Sequence, residues 1–249
     1  MKVIDVYNAI DEKAPFSTAM DFDNVGLLVG DKYAEVTRVL LALDITKDVV
    51  AEAEKQGANL IVSHHPIIFN PVKKLTAGTA LYELASKGVA AVCCHTNVDL
   101  SPEIGTNKML ADVLELENFT CEGDCLFSGT LKNVMTAAEF AAFVSAKLNV
   151  PYITYTDSDK TIKKIGFCSG SGGEFVFDAI GSCDAYLTGE AHHHELLFAK
   201  EQKFPMFVAG HYATERPFVD IMKNYLSAKF PAAEFIISTA DTDPVTSLK

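Results

Sequence analysis

Three short runs of uninterrupted apolar residues restrict the folds open to this chain. They are RVLLAL at 38–43, NLIVS at 59–63 and VAAVCC at 89–94. A strand with one face in water alternates apolar and polar residues, whereas a strand covered on both faces reads as a continuous run. Helical patterns lie between the runs. Within 79–87, Leu81, Leu84 and Ala85 share one face, and Gly88 can close the helix. Covered strands alternating with helices predict an α/β fold.

The second half repeats the scheme. Thr136 and Glu139 form a capping-box pattern, and Phe140, Phe143, Val144 and Leu148 follow as one stripe. Further strands are expected at 162–168, 184–188, 206–209 and 234–238. The last long helix carries Phe218, Ile221, Met222, Tyr225 and Leu226 on one side, with Pro217 tolerated in its first turn. The polar stretch ENFTCEGDC at 117–125 is the expected boundary. It divides the chain into a first α/β lobe at 1–124 and a second at 125–249, with the C-terminal segment free to pack on the first.

Composition narrows the function. A chain of 249 residues with 49% hydrophobic content can bury a substantial core. Its formal charge of −12 argues against non-specific binding to nucleic acid or anionic membranes, which needs clustered Lys and Arg. No apolar stretch approaches the ~20 residues of a membrane span. The opening MKVIDVYNAIDEKAPF mixes charges into its apolar residues, unlike a secretory signal, so a cytoplasmic location is expected. None of the six cysteines forms a C-x-x-C pair. Cys93, Cys94 and Cys168 lie in strand-like runs and read as small buried hydrophobes.

The seven histidines fall in four places: His64 and His65, then His95, then His192, His193 and His194, then His211. Each place lies at or just beyond the C-terminal end of an expected strand, the edge at which open α/β sheets bind ligands. Successive strand residues point to opposite sides, so the rings of His64 and His65 are expected to aim apart, each toward its own metal ion. Pro66 favours an extended backbone at His65. Metal sites also need negative charge. HTNVD supplies Asp99 and HYATE supplies Glu215, one helical turn beyond His211. Such a mixed nitrogen and oxygen set suits zinc, iron or manganese better than a sulfur-rich structural site. The bland alternative is that each histidine is an ordinary hydrogen-bonded residue, Asp99 a helix cap and Glu215 a first-turn charge. Of the triple 192–194, one or two are expected to face a site. The glycine-rich CSGSGGEF at 168–175 reads either as a tight turn or as a loop presenting N–H groups to an anion.

Taken together, DNVGLLVG, SHHPIIF, HTNVD, CSGSGG, TGEAHHHE and GHYATE resemble the NGG-interacting-factor-three-like proteins, the dinuclear-metal-centre family that includes homologues of type 2 GTP cyclohydrolase 1. The motifs run from about residue 23 to 215. The resemblance implies a two-lobed α/β subunit with mixed sheets flanked by helices, a dinuclear metal site between the lobes and assembly into a hexamer of three dimers. It implies two divalent ions per chain held by His64, His65, Asp99, His211 and Glu215, with Glu215 bridging. His95, Glu190 and His192 would stand nearby as acid–base groups. The family commonly carries Trp before DNVG, where this chain has Phe22.

The implied activity is ring-opening hydrolysis of GTP with release of formate, acting on a small-molecule substrate, a nucleotide or related compound. A phosphoesterase, a metal- or nucleotide-binding regulator without turnover, and a ring that encloses a partner protein are the competing readings.

Overall fold

The computed structural model describes residues 1–246. The chain divides into two compact units, Met1–Gly105 with Phe218–Thr242, and Thr106–Pro217 with the tail from Asp243.

The first unit begins with the helix Val3–Lys13 and then forms β1 (Gly26–Val29), β2 (Arg38–Ala42), β3 (Leu60–Ser63) and β4 (Ala90–Cys93). The second unit holds β5 (Glu117–Gly123), β6 (Leu126–Met135), β7 (Thr154–Tyr155), β8 (Ile162–Cys168), β9 (Ala185–Thr188) and β10 (Met206–Val208). The chain then returns to the first unit through the helix Pro217–Lys229 and β11 (Glu234–Ile237).

The first sheet has the order β1-β4-β3-β2-β11. β4, β3, β2 and β11 run parallel, and only β1 is antiparallel, at the edge beside β4. All four residues of β3 and of β4 are buried, as continuous apolar strands require. Helices supply the cover. Val49, Val50 and Ala53 of the helix Lys47–Gln56 pack with Leu40, Ile61, Leu84 and Ala91. Thr46 caps that helix by accepting the Val49 N–H, and Gly57 closes it in the left-handed conformation at φ 68°. Tyr225 of the long C-terminal helix donates to the carbonyl of Ala9 at 2.6 Å.

The second sheet has the order β5-β6-β8-β9-β10-β7. β8, β9 and β10 are parallel, and antiparallel strands flank them on both sides. The helix Ala137–Leu148 starts with the expected capping box, in which Thr136 and Glu139 satisfy each other's backbone N–H groups. Both sheets are therefore mixed and flanked by helices, as expected.

The polar stretch 117–125, the expected boundary, forms the edge strand β5 and its turn, paired antiparallel with β6. The first break between the two compact units follows Gly105. Six of the seven β5 residues are exposed, so this strand shows no apolar run.

Candidate metal centre

In the first unit, three parallel strands end at the same edge of the sheet. Two residues beyond β2 stands Asp44, immediately beyond β3 stand His64 and His65, and two residues beyond β4 stands His95. The backbone ladder continues past the strand ends and fixes these positions. The N–H of His65 donates to Leu43 at 2.9 Å, and that of Cys94 donates to Ser63 at 2.9 Å.

The side chains converge. Ring centroids are 5.1 Å apart for His64 and His65, 5.1 Å for His64 and His95, and 5.6 Å for His65 and His95. One donor atom from each ring lies within 4.8 Å of the other two. The expectation that His64 and His65 aim apart is therefore corrected. Both histidines stand beyond Ser63, the last residue of β3, and their rings lie side by side.

Each ring is held at Nδ1. His64 faces the carbonyl of Cys94 at 3.0 Å, His65 the carboxylate of Asp44 at 3.0 Å, and His95 the carboxylate of Asp23 at 3.0 Å. A carbonyl or a carboxylate only accepts, so all three Nδ1 atoms carry the proton and donate. In the neutral ring each Nε2 then presents a lone pair. This is the arrangement of a metal-ligating histidine, whose other nitrogen is fixed by an acceptor. His64 is fully buried, its Nε2 lies 3.6 Å from Asp99 Oδ1, and the Phe218 ring sits 5.0 Å from its centroid. Asp99 is itself buried in the short helix Thr96–Asp99. The chemistry of this donor set, three oriented imidazoles and a buried carboxylate, fits a divalent cation.

Asp23 and Asp44 are the residues that motif reading did not assign. Burial pushes the Asp23 carboxyl up, but hydrogen bonds from His95 and from the Thr96 hydroxyl and backbone outweigh it and hold the group well below the usual carboxylate range. It is an anion that anchors His95. Asp44 could have been found from its place just beyond an apolar run, where the histidines also lie.

The second unit uses the same edge. β8 leads into CSGSGG, β9 into Gly189 and Glu190, and β10 into the helix His211–Glu215. His211 Nε2 lies 2.9 Å from Glu215 Oε2, and its Nδ1 lies 3.3 Å from Glu190 Oε2. The pair at i and i+4 thus shares one face, as the HYATE spacing predicts. Glu215 is buried and His211 half-buried.

Three amides of the glycine loop are engaged within the protein: Ser169 N donates to Asn107 at 2.8 Å, Gly170 N to Thr214 at 3.0 Å and Gly172 N to Thr188 at 3.1 Å. Gly170, at φ +64°, lies so close to Glu215 that a Cβ there would stand 1.9 Å from Oε1. The loop is a cradle for that carboxylate.

Ser171, Gly189, Glu190, Ala191, His192 and Val208 line a cavity of about 320 Å³, enough for part of a small ligand. His192 caps the helix His193–Glu201, and its side chain is 77% exposed. His193 and His194 are exposed as well. Glu195, buried beneath them, accepts the His192 N–H at 2.6 Å. Of the residues expected as acid–base groups, Glu190 and His192 therefore line one cavity, while His95 belongs with the histidine cluster of the first unit.

Comparison with known proteins shows what the whole chain is similar to. The profile of the family described as Duf34/NIF3 (NGG1p interacting factor 3) matches residues 1–244. A Clostridium perfringens protein named GTP cyclohydrolase 1 type 2 homolog is 32% identical over an alignment that covers 98% of each chain. A Campylobacter jejuni protein of the same name is 31% identical over 223 residues, with 88% of this chain and 89% of the relative covered. Among solved structures, a hypothetical protein of Staphylococcus aureus superposes with a TM-score of 0.93 at 32% identity, over 100% of this chain and 99% of the other. HcgD from Methanocaldococcus jannaschii superposes with a TM-score of 0.83 at 28% identity, over 95% and 97%. Among the described residues no helix is long and apolar enough to cross a membrane.

Proposed function

We propose, since the chain belongs to the Duf34/NIF3 (NGG1p interacting factor 3) family, that it is a metal-dependent hydrolase whose substrate is a nucleotide, with ring opening of GTP as the reaction to test first. The names of its relatives support the choice of GTP. The observation that carries the metal reading is the common state of His64, His65 and His95, each held at Nδ1 by an acceptor and so offering Nε2.

In this reading His64, His65 and Asp99 hold a divalent cation in the first unit, and His211 with Glu215 supplies ligands in the second. His95 is a further ligand or a proton carrier beside the first set. Two ions per chain, zinc, iron or manganese, are assigned. Bound divalent ions would supply Lewis acidity, lowering the pKa of water toward neutrality and offsetting negative charge that develops on the substrate.

The protein's own groups do the rest. Asp44 and Asp23 keep two imidazoles in the Nδ1–H tautomer. The Gly170 cradle keeps the Glu215 carboxylate in one orientation. Glu190 and His192 line the cavity and are assigned the proton transfers. For GTP, one water adds at C8 of the purine and the C8–N9 bond breaks, leaving a formamide. A second water cleaves the formamide to an amine and formate. Each step takes a proton from water and returns one to nitrogen, the task given to Glu190 and His192.

Formate release from GTP by protein carrying its native metal, lost in His65→Ala and in Glu215→Ala, is the expected result. Phosphate release without formate would move the assignment to a phosphoesterase. Stoichiometric metal with neither product on a broad nucleotide and phosphoester panel would make the protein a non-catalytic metal binder. A cytoplasmic location and a hexamer of three dimers accompany this reading, and sedimentation of the native protein tests the latter.

A further inference from the structure

Two large aromatic side chains stand exposed on segments that adjoin residues of the three-histidine cluster in sequence. Phe22 is 62% exposed and Phe69 is 47% exposed. Their ring centroids are 6.2 Å apart with the planes tilted by 48°. A single exposed apolar residue needs no explanation, but a paired one does.

Phe22 is one residue from a carboxylate bonded to the histidine cluster, and Phe69 lies four residues beyond His65. Phe22 precedes Asp23, the carboxylate that holds His95 and Thr96. Phe69 follows Ile68, whose carbonyl accepts from Asn24 Nδ2 at 2.5 Å. That bond ties the two ring-bearing segments together. The segment 66–79, which follows His65 directly, has no helix or strand of its own, a length that in compact folds goes with binding or gating. It also carries Lys73 and Lys74, both exposed. Among the described residues neither lysine has an ion-pair partner, although the chain carries twelve more formal negative than positive charges.

We infer that Phe22 and Phe69 form the platform on which the flat heterocycle of a purine nucleotide stacks, with Lys73 and Lys74 meeting its phosphates. The inference deepens the hydrolase reading and rests on it for the identity of the site served. An aromatic face receives any base through its π-face, without hydrogen-bond readout. Exposed cations on the same loop select, among flat ligands, those that bear phosphate. These two features favour a nucleotide over an apolar protein surface, for which the lysines would have no use.

The chain has no tryptophan, so Phe22→Trp places a single fluorescent reporter in the platform. Titration of this variant with GTP is expected to quench its emission saturably, while inorganic triphosphate at the same concentrations does not. Adding Phe69→Ala should weaken the apparent affinity by about tenfold, the size of one lost base stack. Replacing Lys73 and Lys74 by alanine should weaken it further and flatten its salt dependence.

Absence of saturable quenching, equal quenching by triphosphate, or emission that follows protein concentration instead of GTP would overturn the platform. The last of these would mean that a second copy of the chain covers the pair. Metal content measured on the same samples separates the two readings. Metal without GTP quenching removes the platform and leaves the hydrolase. GTP quenching without metal leaves the platform and removes the hydrolase.

Discussion

Asp23 holds His95 with one carboxylate oxygen and Thr96 with the other: Oδ1 lies 3.0 Å from His95 Nδ1, and Oδ2 accepts the Thr96 hydroxyl at 2.6 Å and its N–H at 3.0 Å. The side chain of Asp23 is fully buried. The aspartate thus sets both the tautomer of the ring and the start of the helix that carries Asp99. Asp23→Ala is expected to lower the affinity for divalent metal by about 10- to 100-fold, the usual effect of losing a group that orients a ligand. Chelator competition on wild type and variant measures this, and equal affinities would remove Asp23 from the site.

Gly170 tests the cradle. Alanine there meets Glu215 Oε1 at 1.9 Å and must also adopt φ +64°. Gly78 provides the control, since it too has a positive φ, of +83°, but open space around its Cβ position. Gly78→Ala should cost only the backbone term, about 1 kcal/mol, and Gly170→Ala about 1–3 kcal/mol more. Thermal unfolding of the two variants gives the comparison. Equal losses would show that the carboxylate does not need the space.

Glu52 predicts a pH dependence of stability. Burial raises its carboxyl, but hydrogen bonds from Ser238, Thr239 and Ala240 outweigh that and hold it at about 2. The folded value lies below the ordinary glutamate value of about 4.3. The contribution to stability is therefore present above the ordinary value and is lost as pH falls through that window toward 2. Urea unfolding should show Glu52→Gln weaker than wild type at neutral pH, with the gap closing in acid. A gap independent of pH would mean that the charge plays no part.

The cysteines predict a reactivity order. Cys121 is exposed, whereas Cys93 and Cys94 are fully buried. Burial pushes the Cys93 thiol up to about 11 and the Cys94 thiol well above the ordinary range. In native protein a thiol reagent should modify Cys121 quickly and leave Cys93 and Cys94 intact until unfolding. Mass spectrometry of partially labelled protein reads the order directly.

Much of this was legible in the chain itself, for physical reasons that also explain the rest. β3 and β4 are buried apolar runs and β10 is largely so, and an imidazole inside such a run needs a polar partner, so a histidine at its end marks the sheet edge. That made His64, His65, His95 and His211 visible, and one helical turn then gave Glu215. Asp44 and Asp23 were not visible, because an aspartate near a turn is common and its partner lies 21 and 72 residues away in sequence. β5 was hidden because an exposed edge strand has no need of apolar residues. The convergence of His64 and His65 departs from strand alternation, which would have to hold for two residues beyond β3 to aim the rings apart.

The central claim is that the oriented imidazoles and their carboxylates hold metal. Elemental analysis of protein purified without added metal tests it most directly. About two divalent ions per chain are expected, falling by at least half in His65→Ala while circular dichroism stays unchanged. Metal-free protein that also fails to take up zinc, iron or manganese in equilibrium dialysis would contradict it, as would a His65→Ala variant with undiminished metal content.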